Sequence, residues 1–400
     1  MCSLAILLWL RARSGSFAVP GIGVGAYAAA LAVVSPLQGR LIDRRGRAAV
    51  LGVSTFGWVV ALIALVLAGR AGAPSWSLVL IAASVGAAMP PFGPAVRALV
   101  GDLISDRGVR ESAYALDAVM QELVWITGPL LVGGVVAIAS PTVAVVLTAL
   151  IGAIGAAGLL VVAPAHAGTG NVGVHWAGPF SERGLRALLL PVAFVGVGLG
   201  ATEVGLPALA AHTGNRAAAG VLVALWALGS LLGGLAFAVM RRGGPLVTRY
   251  RAFLISIALL QAPLILARSL PGAIGLSIVA GLSIAPFFTC LYALVGRLAP
   301  AGTETEAFAW TSTAMIGGAS LGLAAGGALS ASVGVGGPFV LAVAVTLFAA
   351  ALTWLLLPVD VDHARDTPTR PVERTTTTPN AGRDAPPPIA ARRTPTEPTT

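Results

Sequence analysis

Apolar runs of eighteen or more residues recur along this chain, parted by short segments that carry most of its charge. Wound as a helix rising about 1.5 Å per residue, such a run crosses the roughly 30 Å hydrocarbon core of a bilayer. In lipid every backbone N–H and C=O needs an internal partner, so repeated apolar runs of this length fold as transmembrane helices. Only 10% of the residues are charged and 56% are hydrophobic, too little polarity to cover a water-soluble globule. Breaks at Pro, Gly and Arg predict helices over 1–10, 18–38, 49–69, 76–99, 112–138, 141–163, 187–210, 216–240, 250–269, 272–298, 305–332 and 336–358. The expectation is an all-α integral membrane protein of about twelve spans.

The basic residues give the orientation. With the loop around 38–50 set inside, 20 of the 25 bases fall in the loops and tail on that side, and five, Arg11, Arg13, Arg70, Arg216 and Arg268, on the other. The positive-inside rule then puts both termini in the cytoplasm of a multi-pass protein of the inner or plasma membrane. A pI near 11 would suggest nucleic acid in a soluble chain, but these bases lie in loops between spans and not along one face of a folded domain, so no nucleic-acid partner is expected.

Chemistry on bound groups finds little support. Cys2 and Cys290 sit in apolar runs as free thiols, and His166, His175, His212 and His363 are scattered without ligand spacing, so no metal is expected. The glycines of "GIGVG" at 21 and "GVGLG" at 196 lie within helices and follow no strand, which argues for packing and against a nucleotide cofactor. No nucleophile and base are placed for hydrolysis, so an enzyme is not expected. Nor does the start of the chain have the basic flank and cleavage pattern of a signal peptide.

The spans divide into two sets of six. Residues 1–163 form one half and 187–358 the other, with 164–186, the longest polar break, as a cytoplasmic linker. Residues 359–400, rich in Pro, Thr and Arg, lack any apolar period and are expected to be a disordered cytoplasmic tail. The halves repeat each other. "PFGPAVRALVG" at 91 and "PFFTCLYALVG" at 286 agree at six of eleven positions, and "AYALDA" at 113 matches "AFAWTS" at 307 in its small and aromatic positions. Gly220 and Trp226 likewise fall over Gly21 and Tyr27. Six spans per repeat bring both halves in from the same face, as parallel bundles around an axis normal to the membrane. Against this repeat the first helix looks truncated, since ten apolar residues cover only about half the hydrocarbon. A mis-assigned start and a degenerate, opened cavity wall both account for it.

The stretch "GRLIDRRGR" after the second helix carries Gly39, Asp43, Arg44, Gly46 and Arg47. Together with twelve spans, two parallel halves and a central linker, it resembles the major facilitator superfamily of secondary transporters. The resemblance covers about residues 1–358, with Ala48 standing where the motif has its last basic residue. It implies alternating access about a central site, with Asp43 latching the halves in the outward-facing state near the start of the eleventh helix. A carboxylate is favoured at a helix N-terminus, where backbone N–H groups are left open.

Three acids, Asp117, Glu122 and Glu203, fall within predicted spans. Such groups are costly in lipid and face cavities, partners or proton paths. Glu203 lies about 24 Å along the seventh helix, among Gly196, Gly198, Gly200 and Gly205 and before Pro207. Asp117 and Gln121 share a face of the fifth helix, and Glu122 is rotated from them by about 140°. These four are the candidates for proton or substrate binding. In the second half Thr311 stands over Asp117 and Ile316 over Glu122, so the scaffold does not demand these two charges. Gly128 and Pro129, followed by Gly133 and Gly134, are similar to the fifth-helix motif of drug/proton antiporters, although three residues separate the pairs where that motif has two. Pro129, Gly128 and Pro207 are hinge candidates. The expected activity is proton-coupled export of a small molecule by a monomer in the bilayer, the alternatives being an uptake carrier or facilitator and a degenerate membrane protein that does not transport.

Overall fold

A computed structural model of the chain describes residues 1–14, 18–162, 178–215, 218–239 and 244–357. The expected tail at 359–400 and residues 164–177 of the expected linker lie outside the described residues. Among the described residues, fourteen α-helices carry the fold. The first half comprises α1 (Cys2–Ser14), α2 (Ala18–Arg45), α3 (Arg47–Arg70), α4 (Ser75–Ala88), α5 (Phe92–Leu103), α6 (Arg107–Ile138) and α7 (Pro141–Val162). The second comprises α8 (Arg183–His212), α9 (Ala218–Val239), α10 (Leu246–Gln261), α11 (Leu270–Gly281), α12 (Ile284–Leu298), α13 (Glu304–Ser332) and α14 (Gly337–Leu356). Eleven stretches of described residues are long and apolar enough to cross a membrane, with α4 and α5 forming one span and α11 and α12 another. The end bearing Arg40, Arg47, Arg249 and Arg297 is termed the arginine-rich face below.

The spans expected at 76–99 and 272–298 are each broken in two, and proline is the reason. Pro90 and Pro91 offer no N–H to the turn behind them, so α4 stops at Ala88 and α5 starts at Phe92. Pro286 likewise cannot donate to the carbonyl of Leu282, and the gap between α11 and α12 falls at Leu282 and Ser283. The breaks occupy corresponding places in the two repeats. The first helix also differs from expectation, running past residue 10 through Arg11 and Arg13 to Ser14. Trp9 donates to Thr142 Oγ1 at 3.2 Å, and Arg13 donates to the Gly69 carbonyl, which ties α1 to α7 and to the end of α3 away from the arginine-rich face. A Cβ on Gly128 would lie 2.6 Å from Met1 Cγ, so the start of α1 rests on the middle of α6.

The repeat extends to the packing. A Cβ on Gly86 would meet the Tyr27 carbonyl oxygen at 2.0 Å, and one on Gly281 would meet that of Trp226 at 2.1 Å. The sequence comparison pairs Tyr27 with Trp226, and Gly86 with Gly281 at the same offset as the proline motif, so two helix crossings are built alike in the two halves. Small residues let helix backbones approach in lipid, where hydrophobic burial gives no drive to association. The same device joins α8 to α13: a Cβ on Gly200 would meet the Ala319 oxygen at 2.1 Å, and one on Gly322 the Val197 oxygen at 2.0 Å. One apolar core lies within the first half around Trp9, Trp58 and Leu65. A second, around Tyr250, Phe287 and Leu291 of the second half, also takes in Ala98 and Tyr114 of the first.

Candidate functional site

The stretch "GRLIDRRGR" forms the last turns of α2 and the break into α3, where Gly46 adopts φ 89°. Gly39 sits against the start of α13: a Cβ there would lie 2.9 Å from both the Thr305 carbonyl oxygen and Glu306 Cα. This approach brings Asp43 to the N-terminus of α13, where its Oδ1 accepts from the Thr305 N–H at 3.1 Å and its Oδ2 from the Glu306 N–H at 2.9 Å. Thr303, at the cap position of α13, makes no side-chain capping bond of its own. The cap therefore comes from the other half of the molecule, with the negative charge where the helix dipole favours it. One turn earlier on α2, Arg40 donates to Glu306 at 2.8–2.9 Å. The 3₁₀ turn Gly178–Ser181 closes over this pair, with Phe180 packed edge-on against Trp310, 5.0 Å between ring centroids. Arg44 is exposed, and Arg47 pairs with Asp102 inside the first half.

A second seam joins α6 to α10 and α12. Glu111, 8% exposed, accepts from Arg249 through both guanidinium nitrogens at 3.0 Å and from Arg297 at 3.2 Å. Between the seams lies Arg97, only 4% exposed. Its Nε donates to Asp117 Oδ2 at 2.8 Å, its Nη2 to Gln121 Oε1 at 3.4 Å, and its guanidinium stacks 3.8 Å over the ring of Tyr292. Arg97 and Tyr292 are repeat-related, so the two copies of one position touch each other across the axis between the halves. Tyr114 packs on Tyr292 and Phe308 and donates to the Arg97 carbonyl.

The candidates thus separate. Asp117 and Gln121 share one cluster through Arg97, which makes an internal ion pair of Asp117 in place of a carboxylate facing solvent. Glu122 is half-buried and reaches towards Ser230 of α9, again across the halves. Glu203 is exposed and makes no hydrogen bond or ion pair with any described residue. Neither Gly128 and Pro129 nor Pro207 interrupts its helix; the chain breaks instead around Pro90 and Leu282. Sequence reasoning passed over Arg97, Glu111 and Glu306, because each lies near a span end and reads there as an orienting or solvated charge. A signal for Arg97 was present in the repeat, which sets an arginine over a tyrosine within an otherwise matching motif.

The family model of the major facilitator superfamily matches this chain twice, over residues 1–202 and 188–394. The chain belongs to the major facilitator superfamily. Among solved structures it is similar to a bacterial homologue of the iron transporter ferroportin in an outward-facing state, at TM-score 0.69 and 17% identity over 89% of this chain and 98% of that one. It is also similar to the Escherichia coli fucose:proton symporter, at TM-score 0.68 and 13% identity over 89% and 97%. A third similarity is to the human organic anion transporter MFSD10, at TM-score 0.65 and 17% identity over 83% of each chain. No curated protein sequence matches the chain. The superfamily fold, two six-span repeats embedded in a membrane, accounts for the paired proline breaks and the matched glycine crossings alike.

Proposed function

We propose that this superfamily member is a secondary active transporter that works by alternating access and exports a small molecule in exchange for protons across the inner or plasma membrane. In this reading both termini are cytoplasmic, the protein acts as a monomer, and the arginine-rich face is the cytoplasmic one. The observation that carries it is the closed seam at that face, where Asp43 and Arg40 hold α13 while Glu111 holds α10 and α12. The hydrogen bonds and ion pairs described between the halves all lie between the arginine-rich face and about mid-depth. A rocking of the two halves that opens this face has to break them, so Asp43, Glu111 and their partners act as latches of the outward-facing state.

Glu203 and Glu122 are the proton or substrate sites in this scheme. An unpaired carboxylate in the outer half of a span is available to a cationic group or a proton, and Glu122 lies where the halves separate. Asp117, neutralised by Arg97, serves the seam. In everted vesicles acidified inside, an exporter of this kind accumulates its substrate, whereas an uptake carrier releases it. Replacing Glu203 with Gln should abolish proton-driven flux in proteoliposomes while leaving substrate exchange intact. Unchanged driven flux would remove Glu203 from the coupling mechanism.

A further inference from the structure

We propose that the second half carries a binding site for an anionic phospholipid of the leaflet opposite the arginine-rich face. A cavity of about 650 Å³ opens there between the end of α8, the turn before α11, the end of α13 and the start of α14. Its two basic residues, His212 and Arg268, stand at the ends of their spans, the level at which lipid headgroups lie. Its apolar wall runs down α14 through Leu341 to Ala344, about 10 Å into the hydrocarbon from the start of that helix. A basic mouth above an apolar slot of that depth has the shape of a single lipid standing in its leaflet. A water-soluble anion would have no use for the slot.

The charge on this face argues for the same occupant. Arg268 Nη1 donates to the carbonyls of Ile265 and Ala267, which fixes the guanidinium beside the cavity and leaves its other donors outward. None of the described connecting residues on this face, 71–74, 139–140, 213–215, 267–269 and 333–336, is an aspartate or glutamate. Among the described residues no carboxylate stands in these connections as a counter-ion, and a phosphate diester supplies one. Leu266 and Val333, 76% and 73% exposed, flank the opening and would cover an acyl chain. The loop into α14 turns through Gly334 at φ 99°, and Gly334, Gly336 and Gly337 line the cavity with backbone alone.

The test is native mass spectrometry of the full chain released from nanodiscs of mixed phosphatidylglycerol and phosphatidylcholine. One interfacial arginine corresponds to about a fivefold preference for the anionic lipid. Retention of one phosphatidylglycerol with about that preference is expected in the wild type. Arg268→Gln should abolish the preference, and Ala344→Trp, on an exposed position of the slot, should lower retention of either lipid. Equal retention of the two lipids by the wild type, or an unchanged preference in Arg268→Gln, would overturn the proposal. So would thermal stabilisation by inorganic phosphate as large as that by the lipid, which would mean a small-anion site. Both variants should keep the transport rate in phosphatidylcholine vesicles, so the result does not depend on the transport reading.

Discussion

The two seams across the arginine-rich face occupy related places in the repeat and are built from different chemistry. Between α2 and α13 the principal bond runs from a carboxylate, Asp43, to two backbone N–H groups, with one ion pair, Arg40 to Glu306, beside it. At α6 a single carboxylate, Glu111, is clamped by two arginines from two helices. Opening the first seam exposes a helix terminus whose N–H groups water can satisfy. Opening the second leaves Arg249 and Arg297 together without their shared counter-charge, although these side chains are 17% and 26% exposed and so hydrate readily once parted. In the proposed transport cycle the first seam is thus a latch that makes and breaks at small cost, and the second a lock whose strength rests on charge.

Removing the shared charge should have the largest effect. Glu111→Ala leaves two half-buried guanidinium groups facing each other and should disfavour the closed face by about 3 kcal/mol, over a hundredfold in the ratio of closed to open. Distances between spin labels placed on the two halves at that face measure this ratio, and an unchanged distribution would mean that α6 contributes packing alone. Asp43→Asn keeps the shape and one acceptor oxygen but loses the charge and the second acceptor. It should cost about 1 kcal/mol, near fivefold in the same ratio. If Asp43→Asn exceeds Glu111→Ala, the ranking of lock and latch is reversed.

How much of this was legible in the sequence differs between span and seam. Lipid requires a span to be apolar and to bond its backbone internally, so the number of spans and the twofold repeat could be read directly from the residues. The twelve expected spans appear as eleven crossing stretches and the shorter α1, and the resemblance carried by Gly39, Asp43 and Gly46 agrees with the family match. The proline breaks were not anticipated, because hydropathy averages over Pro90 and Pro286 while the hydrogen-bond ladder does not. The ion pairs were least legible. Arg97, Glu111 and Glu306 find partners 20 to 266 residues away, and no local pattern distinguishes a charge that orients a loop from one that bridges two halves.

The finest division lies within the first seam, between the backbone cap and the ion pair next to it. Arg40 is 32% exposed and Glu306 only 4%, so Arg40→Gln removes a charge that water and salt already screen while leaving the Asp43 cap in place. The expected shift is about 0.5 kcal/mol, roughly twofold in the closed-to-open ratio at low salt. At about 1 M salt, where the screening length shrinks to about 3 Å, the wild type and Arg40→Gln should converge. Asp43→Asn should keep most of its effect there, because its partners are N–H groups in direct contact and ions cannot enter between them. Equal salt sensitivity of the two variants would mean that the latch as a whole is held by screened charge, and that capping of α13 adds little to it.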